Sequence, residues 1–386
     1  MSFPMRGFKI AEFENRVDRV QMAMRPLKLD ALLLTTEPHF RYFTGFHTQF
    51  WQSPTRPWFL IIPATGKPIA VVPEIGESGM LETWLDNVIT WPSPRPLDDG
   101  VSLVAEVLNS LPWRFGAVGV PLGNESHLRM PYNNFVKLQA LVKKFFCDAA
   151  PLMHSLLQIK SAAEIDKIKA ICAIAGKAFD KVPSQARIGK SERDICQQFQ
   201  IDALLAGADS CPYLIAGSGL DGYDSIIMGP TDRVLNEGDV LIIDTGCVRD
   251  GYFCDYDRNW AFGQVSEETR AAYRATYEAT TKGFEVARPG ATASDVFTAM
   301  WSVLLANGAL GNNVGRLGHG LGMELTEQPS NTKDDNTLLK PGMVLTLEPG
   351  MVYAAGKSMV HEENIVITED GAEWLTVRAS SELLVI

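Results

Sequence analysis

The alternation of apolar and polar residues divides the chain into two parts. In the first part, apolar residues recur at helical spacing over Ile10–Met24 and are followed by Ala31–Thr35, an apolar run of strand length. Two more apolar runs, WFLIIP and IAVVP, flank a short glycine-containing turn, as the strands of a hairpin do. Short strands at Phe115–Pro121 and Phe145–Ala149 alternate with helical segments. This order predicts a compact α/β domain over residues 1–155.

The second part, residues 156–386, combines long helical segments with β-prone runs. Ser161 and Glu164 form a capping box, in which each side chain satisfies a backbone N–H at the start of a helix. Three further helices and then three strands are predicted at Ser191–Ala206, Ser266–Ala287, Thr292–Asn307, Val344–Leu347, Asn364–Thr368 and Leu383–Ile386. Helices and antiparallel strands in this order predict an α+β domain with helices on one face of a sheet.

Composition and charge narrow the classes of function. Of the 386 residues, 46% are hydrophobic and 21% charged, as in an ordinary globular protein. The net charge is −11 without any block of Lys and Arg, so neither a nucleic acid nor an anionic membrane surface is expected as a partner. The six cysteines lack a short metal-binding spacing, which is typical of reduced thiols in a cytoplasmic protein. A signal peptide is not expected, because the start MSFPMRGFKIAEFENR turns polar before any long apolar segment appears. A membrane span is not expected either, because no apolar run reaches about 18 residues.

The segment VLIIDTGCVRDGYFCDYDR carries the first candidate chemistry. An apolar strand ends at Asp244, a turn signal follows at Asp250-Gly251, and a second β-prone run contains Asp255. If the strands fold back symmetrically about Arg249 and Asp250, Asp244 and Asp255 face each other with Cβ atoms roughly 4.5–5.5 Å apart. Two carboxylates at that distance repel unless a cation lies between them. The alternative is an exposed acidic hairpin tip.

Three further groups stand in contexts that suggest ligands. His319 lies in GRLGHGLGM, where glycines allow close approach of the backbone to another group, although a lone histidine is more often structural. Glu348 ends the apolar strand VLTLEPG, and Glu362 precedes another in MVHEENIVIT. A carboxylate at the end of a buried strand needs a partner, because desolvating an unpaired charge costs several kcal/mol. Glu348 and Glu362 are expected to face each other across a second hairpin, with Ala354–Lys357 in its loop.

Together these segments offer four carboxylates and one imidazole, which would balance the charge of two divalent cations. Oxygen-rich ligation with a single nitrogen suits Mn²⁺, Co²⁺ or Zn²⁺. Two such ions about 3.5–4 Å apart lower the pKa of a bridging water toward neutrality and polarise a carbonyl. The set therefore favours metal-dependent hydrolysis.

The motifs IDTG, GYFCDYDR, GHGLG, LEPG and HEENIVIT, in this order, resemble those of the "pita-bread" family of methionine aminopeptidases, Xaa-Pro aminopeptidases, prolidases and creatinase. The resemblance covers Leu156–Ile386 and implies a C-terminal pita-bread catalytic domain of α+β class. The smaller N-terminal α/β domain, with LLLTTEPHFRYFTGF, resembles the creatinase-type companion domain. The resemblance also implies a homodimer in which N-terminal loops help close the other subunit's site.

By matching position, the resemblance assigns the five side chains as ligands of two divalent metal ions. Asp255 and Glu362 would bridge the ions, Asp244 would hold one of them, and His319 with Glu348 would complete the other. Creatinase itself works without metal and has lost much of this set. Since all five are present here, a metal-free mechanism is disfavoured.

Two positions depart from the peptidases of the family. A histidine usually precedes the first aspartate, and here the segment SIIMGP places Met228 or a neighbouring residue there. A second histidine usually follows the ligand histidine by seven residues, and here that position is Thr326. Both residues are expected near the substrate, but neither side chain exchanges a proton near neutral pH. The metal site thus resembles the family while the peptide-handling site differs.

Other polar residues near these motifs are weaker candidates. Glu327, Glu324 and Asp221 are candidates for acid–base catalysis, with a structural salt bridge as the alternative for each. Arg258 is expected to orient a carboxylate close to the metal ions. Tyr223 and His361 are candidates for substrate contact, with buried packing as the alternative.

These observations predict a dinuclear metal-dependent hydrolase of the Xaa-Pro dipeptidase or aminopeptidase type, which cleaves a small amide or dipeptide-like substrate through a metal-bridged hydroxide. The alternative keeps the fold and changes the chemistry, because relatives act on creatine, ectoine or dimethylsulfoniopropionate, the last by a lyase reaction. The absence of both peptidase histidines favours this alternative. A non-catalytic binding module is a third possibility, disfavoured by the complete ligand set.

Overall fold

The computed structural model describes residues 3–53, 56–312 and 315–386. Contacts between Cα atoms separate two compact units, Met5–Leu156 and Leu157–Ile386, the latter joined by the first residues of the chain. Mixed helix and sheet content in both units confirms the predicted fold class. No helix in the described ranges is long and apolar enough to cross a membrane.

The N-terminal unit is built on one mixed sheet with the strand order β4-β3-β2-β1-β5-β6. Its elements are α1 Ile10–Met24, β1 Ala31–Leu34, α2 Glu37–Thr44, β2 Phe59–Pro63, β3 Ile69–Pro73, α3 Glu77–Leu81, β4 Asn87–Trp91, α4 Val101–Ser110, β5 Ala117–Val120, α5 Tyr132–Leu141, β6 Phe145–Asp148 and α6 Ala150–Leu157. The interior strand β1 is buried at every position, as expected for an apolar run covered on both faces. The edge strands β4 and β6 are more exposed.

The C-terminal unit contains the remaining elements, five helices and twelve strands among its described residues. They are α7 Ala162–Phe179, α8 Val182–Gln185, α9 Glu192–Ala206, β7 Ser210–Leu220, β8 Asp239–Arg249, β9 Tyr252–Phe253, β10 Tyr256–Ala261, α10 Glu267–Val286, α11 Ala293–Ala306, β11 His319–Gly320, β12 Glu327–Ser330, β13 Val344–Leu347, β14 Gly350–Ala354, β15 Lys357–Val360, β16 Glu363–Ile367, β17 Ala372–Trp374 and β18 Leu384–Val385. The capping box predicted at Ser161 and Glu164 is confirmed at the start of α7.

Two five-stranded sheets form the frame of this unit. One has the order β18-β10-β8-β7, with β9 paired to β8, and the other has the order β12-β11-β13-β16-β17. The hairpin β14–β15 continues beyond β13 and β16. Helices α7 and α9 contact the first sheet, and α10 and α11 share an apolar core with β13 and β16. Each sheet contains buried strands, and polar side chains at or near the ends of these strands can lie in the interior of the unit.

Candidate metal centre

The hairpin of β8, β9 and β10 positions three buried aspartates. Its turn consists of Asp250 at φ 53° and Gly251 at φ 83°, and two central residues of positive φ match the twist of paired strands. Arg249 therefore pairs with Tyr252, and Asp244 lies opposite Asp257. The predicted register, in which Asp244 faces Asp255, is wrong because the strands fold back about Asp250-Gly251, one residue later than expected.

Asp255 nevertheless reaches Asp244 from the break between β9 and β10. A shift of two residues along a strand leaves a side chain on the same face of the sheet. Asp244, Asp255 and Glu362 offer oxygen atoms that all lie within 4.8 Å of one another, and all three side chains are buried. They are the one group of three or more possible ligands that is this close among the described residues.

His319 and Glu348 extend the cluster. The Nε2 atom of His319 lies 3.3 Å from Asp255 Oδ2 and 3.8 Å from Glu348 Oε2. Its Nδ1 atom is 2.8 Å from the carbonyl oxygen of Gly320, so Nδ1 carries the proton when it donates to that carbonyl and Nε2 is left as an acceptor. The structure thus brings together all five side chains that the sequence suggested as metal ligands.

The second sheet explains why Glu348 and Glu362 meet. Leu347 pairs with Glu363 in β13–β16, and Gly350 pairs with Val360 in β14–β15. Both pairs belong to one continuous register, which sets Glu348 opposite Glu362 between the two ladders. This agrees with the hairpin expected from the sequence. Glycine is needed on the neighbouring strand, because a Cβ at Gly320 would lie 2.3 Å from the carbonyl oxygen of Gln328.

The carboxylates of the cluster are incompletely satisfied by the protein. Asp244 Oδ1, Glu348 Oε1 and Glu362 Oε2 are buried and accept no hydrogen bond from any described residue. The Nε atom of Arg316 lies 3.6 Å from Glu348 Oε1, a distance that fits an ion pair rather than a hydrogen bond. Since buried carboxylates without partners are costly, these oxygens fit a site that binds cations.

The pKa shifts of the clustered side chains also fit a site that binds cations. Burial, followed by the charges of Asp255 and Asp257, raises the pKa of Asp244 well above its usual range. Burial and the charge of Asp244 do the same to the pKa of Glu362. Burial alone would lower the pKa of His319, but Glu348 and Asp255 outweigh it and raise that pKa. With every carboxylate ionised, the cluster would hold more negative charge than its surroundings accommodate, so without a cation it retains protons.

Residues that the sequence did not single out hold the cluster in place. Asp255 exchanges two hydrogen bonds with the Asn364 side chain, one through its N–H and one through its C=O. Asp257 Oδ1 accepts from the N–H of Glu362 at 2.9 Å. Tyr213, on β7, interacts with the Asp244 carboxylate, and burial together with that charge raises the pKa of the phenol. Spacing gave no signal for them, because each contact joins segments distant in sequence.

Arg258 lies behind the cluster. Its guanidinium donates to the backbone carbonyl of Glu362 at 3.2 Å and to the carboxylate of Glu363 at 3.1 Å. It therefore contacts the strand that carries Glu362 and a carboxylate outside the five candidate ligands.

Glu327 and Asp221, two of the three candidates for acid–base catalysis, are engaged in structural contacts. Glu327 Oε2 lies 2.7 Å from the Lys160 ammonium, and Glu327 Oε1 accepts from the N–H of Met323 at 2.9 Å. Asp221 accepts from the N–H of Ser266 at the start of α10 and lies 3.5 Å from the Lys357 ammonium. These contacts support the salt-bridge alternative for both.

Tyr223 and His361, two of the candidate substrate contacts, are each 1% exposed. The Tyr223 hydroxyl donates to Asn259 Oδ1 and accepts from the N–H of Val360. His361 Nδ1 is 2.9 Å from the Thr280 hydroxyl, and burial holds the pKa of its imidazole well below the usual value. Their contacts support the packing alternative.

Met228 and Thr326, at the positions of the peptidase histidines, are more accessible. The Met228 side chain is 57% exposed. Thr326 Oγ1 accepts from the guanidinium of Arg316 at 3.2 Å, so Arg316 links Thr326 to Glu348. Neither position supplies a group that titrates near neutral pH, in line with the sequence analysis.

A cavity of about 160 Å³ lies beside the hairpin β14–β15. Its wall includes Ile226 and Ile227 from the loop that precedes Met228, and Val352 from β14. Gly350 and Val360, which also line it, are each two residues from a cluster carboxylate. The cavity is small and mostly apolar, and none of the five candidate ligands is among its lining residues.

Three comparisons relate the chain to known proteins. The sequence model of metallopeptidase family M24 matches residues 166–369, and that of the creatinase/prolidase N-terminal domain matches residues 16–156. The probable dipeptidase PepE of Mycobacterium tuberculosis is 27% identical over 373 residues, 95% of each chain. The Xaa-Pro dipeptidase of Pyrococcus horikoshii is 30% identical over 259 residues, which cover 66% of this chain and 72% of that protein. The crystal structure of dipeptidase PepE from Mycobacterium ulcerans has a TM-score of 0.86 at 27% identity, with 98% of this chain and 99% of that chain covered.

Proposed function

The chain belongs to metallopeptidase family M24, whose sequence model spans more than half of it, and from this premise we propose a dinuclear metal-dependent dipeptidase of the Xaa-Pro type. The substrate is a dipeptide or a small amide of similar size. The observation that carries the proposal is the buried cluster of four carboxylates and one imidazole, in which three carboxylate oxygens lack a hydrogen-bond donor among the described residues. Relatives described as dipeptidases support the substrate class.

The cluster divides into two sets of ligands for divalent ions. Asp255 and Glu362 would be shared between the two ions, Asp244 would hold one of them, and His319 with Glu348 would hold the other. A bound ion pair supplies an acidified water molecule and polarises the carbonyl to be cleaved. Mn²⁺, Co²⁺ and Zn²⁺ all suit oxygen-rich ligation with one imidazole nitrogen.

The protein itself contributes orientation and hydrogen bonding. Tyr213 restrains the Asp244 carboxylate through its phenol, which stays protonated because burial and the neighbouring charges raise its pKa. The Asn364 side chain fixes the backbone of Asp255 on both sides. Arg316, the cation beside Glu348, keeps a positive charge at the edge of the cluster. Replacing Tyr213 with Phe should therefore lower kcat about 3- to 30-fold and leave KM nearly unchanged, by analogy with the loss of a neighbouring group that orients a ligand.

A second candidate function follows from Met228 and Thr326. Peptidases of the family use histidines at these positions, and here neither side chain moves a proton near neutral pH. This observation favours hydrolysis or elimination on a non-peptide small molecule by the same metal centre.

The deciding experiment is turnover by the purified chain, loaded separately with Mn²⁺, Co²⁺ or Zn²⁺. We expect release of proline from Xaa-Pro dipeptides and about two ions per chain by elemental analysis. Release of dimethyl sulfide from dimethylsulfoniopropionate, or opening of a cyclic amidine, without any Xaa-Pro turnover would establish the second candidate instead. Less than about one ion per chain would contradict both.

Two features of organisation accompany this proposal. The separation of contacts near Leu156, and the match of the N-terminal family model to residues 16–156, support domains 1–155 and 156–386. The resemblance to the creatinase-type family supports a homodimer, with N-terminal loops at the other subunit's site. The free cysteines support a cytoplasmic protein. Light scattering coupled to size-exclusion chromatography should give a mass twice that of the 42.5 kDa chain.

A further inference from the structure

Two cysteines meet on adjacent strands beside the metal cluster. Cys211 lies on β7 and Cys247 on β8, and their Sγ atoms are 3.1 Å apart. Cys247 is buried, whereas Cys211 is partly exposed, and both are free thiols. Neither residue has a role in the proposed reaction.

A β-bulge explains the short distance. Ser210 pairs with Val248 and Tyr213 pairs with Gly246, so Cys211 and Pro212 together oppose Cys247 alone. In a regular antiparallel ladder, directly opposed Cβ atoms are about 4.5–5.5 Å apart, wider than the roughly 3.5–4.5 Å that a disulfide spans. The local bend of a bulge relaxes this limit. The two sulfurs need to approach by only about 1 Å to reach the disulfide bond length of about 2.05 Å.

We propose that Cys211 and Cys247 are an oxidation site, at which a peroxide converts the two thiols into an intrachain disulfide that slows the enzyme. The partly exposed Cys211 is the side chain that the oxidant reaches first.

The chemistry balances with one peroxide molecule. The sulfur of Cys211 attacks a peroxide oxygen, the O–O bond breaks, and the thiol proton leaves with the released hydroxide as one water, so that Cys211 becomes a sulfenic acid. The sulfur of Cys247 then attacks that of Cys211, the S–O bond breaks, and a second water leaves with the Cys247 proton. Two thiols lose two electrons and the peroxide gains them.

The disulfide would act on the cluster through the two strands. Tyr213 follows Cys211 by two residues, and Asp244 precedes Cys247 by three. Between them the Thr245 hydroxyl donates to the Tyr213 carbonyl at 3.3 Å and lies 3.4 Å from Cys247 Sγ. A movement of the sulfurs therefore shifts the ladder that sets Tyr213 against Asp244, and we expect turnover to fall about 3- to 10-fold.

The test uses the zinc-loaded protein, because Zn²⁺ has no redox chemistry. After treatment with hydrogen peroxide, alkylation and peptide mass spectrometry should show a Cys211–Cys247 crosslink that has lost two hydrogen atoms. Dithiothreitol should remove the crosslink and restore turnover. Turnover is followed on whichever substrate the protein accepts, whereas the crosslink is scored independently of activity.

Cys147 supplies the matched control. It is also partly exposed, but its neighbour across the strand pair is Gly119. Cys147→Ser should leave the crosslink unchanged, whereas Cys211→Ser, or Cys211→Ala if the serine variant folds poorly, should abolish it. Oxidation of Cys211 to sulfinic acid without a crosslink would overturn the assignment. A fully crosslinked enzyme with unchanged turnover would overturn the effect on catalysis.

Discussion

The buried Glu327 and the buried carboxylates of the metal cluster, all in the C-terminal unit, differ in how their charge is compensated. Glu327 is neutralised by Lys160 and accepts a backbone N–H, so its oxygens have partners within the protein. Asp244, Asp255, Glu348 and Glu362 crowd one another, and three of their oxygens accept no hydrogen bond from the described residues. Burial is similar in the two groups. Glu327 is thus in direct contact with a lysine at 2.7 Å, whereas the nearest approach of Arg316 to the four crowded carboxylates is 3.6 Å, and this difference separates the structural carboxylate from the proposed metal ligands.

The largest expected effect follows from Asp255→Asn. Loss of a bridging charge should lower kcat/KM by about 10³-fold or more, equivalent to at least about 4 kcal/mol in the barrier. The metal-free variant should melt no lower than the metal-free parent, because one of the mutually repelling charges is gone. Steady-state kinetics and thermal unfolding in a chelator measure both quantities.

Asp257→Asn is the matched control for that variant. The new side chain keeps an oxygen to accept the N–H of Glu362, so activity should fall by about tenfold at most. Equal losses in the two variants, or more than a tenth of the activity left in Asp255→Asn, would contradict the assignment of Asp255 as a ligand.

The second prediction concerns Lys160→Met. This change leaves the Glu327 carboxylate buried without its cation and should cost about 3–5 kcal/mol in the free energy of unfolding. Turnover per folded, metal-loaded molecule should change less than about threefold, since the pair braces the fold and does not touch the cluster carboxylates. Denaturant unfolding and kinetics on the same samples check this. In Lys160→Met/Glu327→Gln much of the stability should return, as expected when both partners of a pair are replaced.

Glu327→Gln alone tests the catalytic alternative. A loss of kcat above about 100-fold with little change in stability would make Glu327 an acid–base group, since such groups contribute about 10²–10⁴-fold. A loss of stability with nearly normal kcat is the expected result.

Local signals in the sequence predicted many elements of both units, whereas contacts between distant segments could not be predicted. The helix over Ile10–Met24 and the capping box at Ser161 were predicted at their observed positions, because periodicity and caps involve residues only a few positions apart. The turn at Asp250-Gly251 was identified, but its centre was misplaced by one residue. Because of that error, Asp255 was predicted opposite Asp244, whereas the structure places Asp257 there.

The long strand β7 and the partner of Glu327 were not apparent from the sequence. Gly217 and Gly219 resemble loop residues, yet they lie in β7. Glycine is needed at these two strand positions because a Cβ at either would lie only 2.7 or 2.3 Å from a carbonyl oxygen of the following loop. Lys160 is 167 positions from Glu327. No pattern along the chain predicts a contact of that separation, which is why a structural carboxylate resembled a catalytic one.

The third prediction concerns pH. Burial and mutual repulsion raise the pKa of Asp244 and Glu362, so the metal-free folded chain keeps protons that the unfolded chain has already released. Stability of the metal-free protein should therefore fall as pH rises from about 4 toward and beyond neutrality. Metal ions displace these protons, so their affinity should increase about tenfold per pH unit for each proton released.

Titration calorimetry with Mn²⁺ at pH 6, 7 and 8 gives the change of metal affinity with pH. Unfolding over a range of pH, with and without chelator, gives the change of stability with pH. Metal saturation should remove most of the loss of stability at high pH. An affinity that does not vary with pH would mean that the cluster carboxylates are ionised before the metal arrives, against the electrostatic distinction between the two groups.

The smallest expected effect belongs to Asp221→Asn. Although burial acts to raise it, the N–H of Ser266 and the charge of Lys357 lower the pKa of Asp221. Its stabilising contribution is therefore present above about pH 4 and is lost as pH falls below that, the opposite direction from the cluster. Asn keeps an oxygen for Ser266 and tolerates the backbone at φ 57°, so the change should cost less than about 1 kcal/mol and alter kcat less than twofold. Between pH 3 and 7, the free energy of unfolding of Asp221→Asn should decrease less on acidification than that of the parent. A large loss of kcat would instead indicate that Asp221 takes part in catalysis.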